Sequence, residues 1–339
     1  MTASEPQPVR IAVDLLGGDE APAVVVDGVL TALDIDPLLS VLLAAPRADA
    51  ERAIASAPRG SRARLSVAPA GEAVAMEGAA LAVRAQEDAT VRVALRALRD
   101  GAADGVVTIG STGAAIAAAV LDLGRLPDVE RPALAVVVPS SAGPLVLLDV
   151  GAGIRADPSL LVDHGLLGAA YAVAVLGIDV PRLGLLSTGT EVGKGGPGRR
   201  EAAERLAAAC AGLPVTFVGN VEGQHVPLGG PADVVVTDGL VGNALLKGIE
   251  GSIEMIRRRT GMVPGFARDA GRAAVLLGVP GTVIVGHGAA DGEDVAACVG
   301  LAAESFRHGT GGAVSERYAE FVRGRGTVDL TGAPEVVPR

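Results

Sequence analysis

Short aliphatic runs alternate with longer segments of helical spacing along almost the whole chain, and this alternation restricts its fold more than any other feature. Strands are expected at residues 10–14, 39–44, 105–109, 133–138, 145–150, 183–187, 215–218, 234–236 and 282–285. Helices are expected between them at residues 24–33, 91–98, 114–123, 158–176, 199–211, 244–259 and 294–308. Such an order predicts an α/β protein of three layers, α/β/α, around a doubly wound, mostly parallel sheet. The runs at 133–138 and 145–150 have no helix between them and are expected to pair as a hairpin-like element. No linker interrupts residues 10–325, which read as one domain, and residues 326–339 read as a frayed tail.

In a sheet of this kind ligands bind beyond the carboxyl ends of the strands, where loops lead into helices. Seven loops at predicted strand ends are glycine-rich and polar: LLGGDEAP (15–22), IGSTGAA (109–115), LDVGAG (148–153), STGTEVGKGG (187–196), GNVEG (219–223), TDGLVGN (237–243) and VGHGAAD (285–291). They are expected to converge on one polar cleft. The sixth shows the logic. Val234, Val235 and Val236 form a β-branched run, Thr237, Asp238 and Gly239 turn the chain, and Ala244, Leu245, Leu246 and Ile249 then recur at helical spacing. Free N–H groups at such a helix start can hold an anion, whereas an ordinary connection would use Asn243 as the N-cap.

Composition removes several functions. A formal net charge of −10 repels nucleic acid and anionic membrane in bulk, and 2% aromatic content leaves little to stack on bases. Arg257, Arg258 and Arg259 are the local exception. Cys210 and Cys298 are far apart, without metal-ligand or CxxC spacing, and read as buried, inert thiols. No N-terminal targeting signal or membrane span is read, so the expected compartment is the cytoplasm. Gly193, Gly195 and Gly198 fit GxGxxG, with Glu222 as a ribose-binding acid, but Pro197 lies inside the motif and the glycines do not leave the strand directly. A nicotinamide-dependent dehydrogenase is therefore the lesser alternative. Gly189, Gly193 and Lys194 miss the Walker A spacing by one residue, and Gly195 replaces its Ser/Thr.

Taken in series, IAVDLLGGDEAP, TIGSTGA, RPALAVVVP, VLLDVGA, PRLGLLSTGTEVGKG, FVGNVEG, DVVVTDGLVGNALLKGIEG and VIVGHGAAD resemble the bacterial PlsX-type phosphate acyltransferase family over roughly residues 10–321. The resemblance implies a homodimer with an isocitrate/isopropylmalate dehydrogenase-like fold. It also implies transfer of a fatty acyl group from acyl carrier protein to inorganic phosphate, giving acyl phosphate for phospholipid synthesis. Such a reaction needs no cofactor and no metal, because phosphate is itself the nucleophile and must only be held, aimed and offered oxyanion stabilisation.

On this basis Lys194, with N–H groups around Gly113 and Gly242, is expected to bind phosphate or the oxyanion. His287 is expected to protonate the departing thiolate or to hydrogen-bond phosphate, with Asp238 and Asn243 orienting these groups. Gly17, Gly18, Asp19, Ser111, Thr112, Ser187, Glu191, Glu222 and Lys247 complete the expected substrate-binding set, although Glu222 could instead form a structural salt bridge with Lys194 or Lys247. Departures from the family pattern are Glu20 for His, Ser111 and Ser187 for Asn, Gly153 and Arg155 for Asn and Asp, and Val285 for Lys. Serine keeps a hydrogen-bonding group at two of these positions. The stretch at 251–270, with Arg257, Arg258 and Arg259 beside Met262, Val263, Phe266 and Arg268, is expected to dock acyl carrier protein or touch an anionic membrane. A non-catalytic scaffold that binds acyl carrier protein is the other alternative.

Overall fold

A computed structural model describes residues 7–75, 79–153, 155–262 and 273–325. The expected tail at 326–339, and Val263, Phe266 and Arg268 of the expected docking stretch, lie outside the described residues. The first part of the chain forms β1 (Val9–Asp14), α1 (Ala23–Ile35), β2 (Leu39–Ala45), α2 (Arg47–Ser56), α3 (Arg59–Arg62), β3 (Leu65–Pro69), α4 (Ala79–Ala85), α5 (Thr90–Arg99), β4 (Gly105–Thr108) and α6 (Thr112–Asp122). Then come β5 (Ala133–Ser140), β6 (Gly143–Leu148), α7 (Pro158–Leu176), β7 (Arg182–Leu186), α8 (Gly196–Cys210), β8 (Thr216–Val221) and α9 (His225–Leu228). The last part forms β9 (Val234–Val236), α10 (Gly239–Thr260), β10 (Ala273–Leu277), β11 (Val283–Gly286), α11 (Gly292–Arg307) and α12 (Thr310–Gly324).

All these strands join one sheet in the order β3-β2-β1-β4-β11-β10-β5-β6-β9-β7-β8. Pairing is parallel from β3 to β11 and from β6 to β8. The three antiparallel contacts lie in the middle, β11 with β10, β10 with β5, and β5 with β6. The expected hairpin is thus present, with Ala135 opposite Leu148. The antiparallel centre has a consequence that the strand and helix periods alone do not reveal. It reverses the sheet's direction, so β1, β4 and β11 run opposite to β6, β9, β7 and β8. The seven glycine-rich loops therefore form two groups, one for each lobe of the sheet, and not a single ring.

Burial follows strand position. β4 and β9 are wholly buried, as expected for inner parallel strands covered on both faces, whereas the edge strand β3 is largely uncovered. One aliphatic layer lies under α1, α7, α8, α11 and α12, and a second under α5 and α6. The small side chains permit close approach: a Cβ on Gly28 of α1 would lie 2.5 Å from Val295 Cβ of α11. Helix α7 is apolar and long enough to cross a membrane by length, yet 67% of that stretch is buried inside the molecule. It is a core helix. Asp157 caps its N-terminus, accepting from the Ser159 amide at 3.0 Å, and left-handed Gly177 ends it.

Strands β3 and β10 and helices α2, α3, α4, α9 and α12 escape the reading of the sequence. The β10 run, Ala-Ala-Val-Leu-Leu, is rich in good helix formers and owes its strand form to the neighbours on both sides. Helix α12 carries Gly311 and Gly312 in its first turn, a poor local signal, and is held by buried Val314, Tyr318 and Phe321.

Candidate functional site

The first loop group lies beyond β1, β4 and β11. Asp14 ends β1 fully buried, and its Oδ2 accepts from Thr108 Oγ at 2.8 Å. Burial raises its carboxyl above the ordinary carboxylate value. Gly17 then passes so close that a Cβ would lie 2.8 Å from Asp14 Oδ2 and 2.9 Å from the Gly110 nitrogen. Left-handed Gly18 lies against Ile109, and the Asp19 amide donates to the Gly288 carbonyl at 2.8 Å. These contacts tie the loops after β1, β4 and β11 into one surface. Helix α6 opens onto it. Ser111 caps the helix through the Ala114 amide, and the Thr112 and Gly113 amides are bonded to no other described residue. Unbonded amides at a helix start are suited to an anion.

His287 stands exposed in the turn after β11. Its Nδ1 accepts from the Ala289 amide at 3.1 Å, and its carbonyl accepts from the Ala290 amide at 2.9 Å. An imidazole whose Nδ1 is an acceptor carries its neutral-form proton on Nε2. That proton is free to meet a substrate.

The second group lies beyond β6, β7, β8 and β9. Its centre is Asp149, fully buried, whose Oδ1 accepts from the amides of Leu134, Gly151 and Ala152 and whose Oδ2 accepts from Gly153 at 2.7 Å. His164 of α7 lies beneath it, its Nε2 3.2 Å from the Arg131 carbonyl, and burial pushes its pKa down. Asp238 caps α10, accepting from the Val241 amide at 3.0 Å through Oδ1 and from Arg199 Nη2 at 2.7 Å through Oδ2. Arg199 Nη2 also donates to Thr237 Oγ at 3.2 Å.

Several expectations need correction here. The helix begins at Gly239 and its cap is Asp238, so Asn243 is an exposed residue of the helix and not its N-cap. The Gly242 amide cannot seat an anion, because it donates to the Asp238 carbonyl at 2.9 Å. Gly242 is needed for another reason: a Cβ there would lie 1.9 Å from the Asp149 carbonyl oxygen. Lys247 pairs with Glu250 at 2.5 Å, not with Glu222, whose amide turns onto His225 Nδ1 at 3.1 Å. Arg257 and Arg258 share Glu254, which spends part of their charge within the helix.

Loop 187–196 is anchored at its start and its middle. The Ser187 amide donates to the Val221 carbonyl at 2.8 Å, and Asn220 Nδ2 donates to the Glu191 carbonyl at 3.1 Å. The Lys194 stem and the Glu191 carboxylate both pack over Gly189, leaving Lys194 exposed at the loop tip. The two groups meet at one point: a Cβ on Gly151, beyond β6, would lie 3.9 Å from Thr112 at the start of α6. That contact sets the α6 anion seat beside the Asp149 loop. Arg199 and Asp149 were not singled out from sequence. Asp149 lies in the LDVGAG loop, so the signal was present, whereas Arg199 looks like one more arginine on a helix.

Known proteins share this sequence and this fold. Residues 9–261 match the model of the family described as fatty acid synthesis protein. The phosphate acyltransferase of Desulfitobacterium hafniense (strain Y51) is 37% identical over 327 residues, covering 89% of this chain and 95% of the relative. That of Thermobifida fusca is 38% identical over 344 residues, covering 92% and 94%. Among solved structures, the EutD phosphotransacetylase from Staphylococcus aureus superposes with a TM-score of 0.59 at 17% identity, over 89% of this chain and 96% of that one. A 4-hydroxythreonine-4-phosphate dehydrogenase from Klebsiella pneumoniae gives 0.54 at 14% identity, over 90% and 100%. At such identities these last two speak for the fold alone.

Proposed function

The chain belongs to the phosphate acyltransferase family, and from that premise we propose that it moves a fatty acyl group from acyl carrier protein to inorganic phosphate, yielding acyl phosphate for phospholipid synthesis. The observation that carries the reading is the open N-terminus of α6. Its Thr112 and Gly113 amides, without other partners among the described residues, sit where the two loop groups touch. A phosphate held there is an anionic nucleophile already positioned for attack, so general-base activation is not required.

In the step itself a phosphate oxygen attacks the thioester carbonyl carbon. The carbonyl oxygen becomes an oxyanion, which Lys194 and the helix amides stabilise. Collapse forms the carbonyl–oxygen–phosphorus link and breaks the carbon–sulfur bond; His287 Nε2–H hydrogen-bonds the departing thiolate, which takes its proton from the hydrogen phosphate nucleophile. Asp238, already bound to the Val241 amide and to Arg199, acts by fixing the loop after β9 and not by moving a proton. Gly17, Gly18, Asp19, Ser111, Ser187, Glu191, Glu222, Asn243 and Lys247 complete the walls of this substrate region. Arg257, Arg258 and Arg259 are proposed as the docking face for the acidic carrier, with membrane contact as a further use. The working form is proposed to be a cytoplasmic homodimer.

Incubation with palmitoyl acyl carrier protein and phosphate, followed by hydroxylamine trapping, is expected to give acyl hydroxamate. Lys194→Ala and His287→Ala should each lower the rate by about a hundredfold while leaving the fold intact. A folded double variant that keeps the wild-type rate would remove both residues from the mechanism. A wild-type chain that binds carrier but makes no acyl phosphate would instead be a scaffold.

A further inference from the structure

The rim of the second lobe gathers basic side chains that the fold leaves out of its ion pairs. Lys194 stands exposed at the tip of loop 187–196, and Arg200, also exposed, lies in the first turns of α8. The two are close in space: a Cβ built on Gly193 would lie 3.7 Å from Arg200 Cδ. Arg155 is exposed in the loop between β6 and α7, and this loop adjoins α8. A Cβ on Gly198 would lie 3.8 Å from the carbonyl oxygen of Ala156, the residue after Arg155. Among the described residues none of the three basic groups forms an ion pair. Two acids near them in sequence are engaged elsewhere, Asp157 with Ser159 in the α7 cap and Glu201 with Arg205. Glu191, whose carboxylate lies over Gly189, offsets part of the charge.

The patch borders the candidate site. Arg155 lines a small recess with Asp149, Thr237 and Asp238, and the Asp149 loop meets Thr112 of α6 through Gly151. Val192 is fully exposed two residues from Lys194 and adds an apolar point to the same edge. Basic groups around an apolar point suit an acidic protein surface, since the charges steer and orient the partner while the apolar contact excludes water. In a chain of net charge −10 such a partner needs a local basic face. The arginines of α10 are placed less well for delivery to the site. They begin roughly 27 Å along the helix from Gly239 at 1.5 Å per residue, and Glu254 partly neutralises Arg257 and Arg258.

We propose that Arg155, Arg200 and Val192 form the face on which the acidic acyl carrier protein docks to deliver its thioester arm, with Lys194 adding charge at the same edge. This rests on the reading of the chain as a carrier-dependent transferase, although docking itself can be measured without turnover. On this geometry the α10 arginines are a secondary contact. Arg155 departs from the family pattern, which has an acid at that position, so this end of the face belongs to this chain.

Calorimetric titration of the full chain with palmitoyl acyl carrier protein in phosphate-free buffer tests the face. The double variant Arg155→Glu/Arg200→Glu should weaken binding by about tenfold or more, and the loss should shrink as salt is raised. Val192→Ser should cost about threefold. In turnover the KM for the carrier should rise by the same factors, while kcat and the KM for phosphate stay unchanged. Arg200→Glu alone keeps the test open should a glutamate at position 155 disturb the α7 cap. A wild type that binds no carrier, or folded variants that bind it as the wild type does, overturn the face. So does a loss confined to Arg258→Glu/Arg259→Glu, which puts the carrier on α10. Lost binding to phosphatidylglycerol vesicles with carrier affinity unchanged also overturns it, since the patch then meets a membrane. Acyl phosphate production measured in parallel keeps the two readings apart. Lost carrier affinity in the rim variants of a chain that makes no acyl phosphate supports the face and sinks the transfer reading. Unchanged affinity with normal turnover does the reverse.

Discussion

At the end of β1 the chain turns over one buried carboxyl, Asp14, which accepts from the Thr108 hydroxyl. At the end of β6 it folds around Asp149, which takes up four backbone amides. The first arrangement leaves one oxygen of Asp14 without a partner among the described residues, and burial raises its carboxyl above the ordinary carboxylate value. In the second, both oxygens act only as acceptors and the loop backbone is wrapped around them. The first lobe therefore shapes its loops mainly by glycine contacts, and its Thr112 and Gly113 amides are bonded to no other described residue. The second spends its amides on the Asp149 carboxyl and carries Lys194 exposed on loop 187–196. Two lobes of one sheet thus shape their loops by different means.

The largest effect that can test this division is expected at the glycines. Gly242→Ala would drive a methyl into a backbone carbonyl at 1.9 Å, and it should cost more than about 4 kcal/mol in a denaturant melt. Gly17→Ala meets a movable side-chain oxygen at 2.8 Å and one amide nitrogen at 2.9 Å, and should cost roughly half as much. Equal losses would show that the two lobes are built alike. Next come the carboxylates themselves. Asp149→Asn replaces an acceptor by a donor facing amides and should destabilise by about 2–4 kcal/mol, whereas Asp14→Asn keeps an oxygen for the Thr108 hydroxyl and should cost roughly half as much. The reverse ranking in chemical denaturation would break the comparison.

The last effect concerns Asp163 of α7, a half-buried carboxyl with neither an amide cage nor a glycine lid. Among the described residues it pairs with Arg325 at 3.2 Å, and burial pushes its pKa from 3.8 to about 6. Because the folded value is the higher one, the native state holds a proton that the unfolded chain releases between these two values. Stability from this group is thus complete below the unfolded pKa and is lost as pH rises through about 6. Asp163→Asn should remove that slope and gain on the order of 1–2 kcal/mol at pH 7.5 relative to the wild type. Parallel stability curves for the two proteins would mean that the carboxylate is better solvated than its surroundings indicate.

Much of this was legible in the sequence because periods and turns are local. The strand at Val234–Val236 and the helix at Pro158–Leu176 are read to the residue, since flanking Asp and Gly signals agree with the apolar pattern. The loops that carry the candidate site were visible for the same reason. Sheet direction was not, because it is set by β10, a short run whose Ala and Leu residues read equally well as helix and whose partners are distant in sequence. The role of Gly242 was misread in a related way. Its glycine signalled close approach, but the approaching atom is Asp149 of another strand and not an anion. Arg199 carried no local mark at all; only the fold brings it to Asp238.

The placement of β11 and α11 bears on how the chain is made. The first lobe is begun by residues near the N-terminus, yet β4 must pair with β11, α1 must pack on α11, and Asp36 must find Arg307 at 2.6 Å. During synthesis these surfaces emerge well before their partners, which lie far later in the sequence. Contacts of such long sequence separation slow folding and lengthen the time for which apolar surface is bare. The nascent first lobe is accordingly the stretch of this protein with most need of a chaperone.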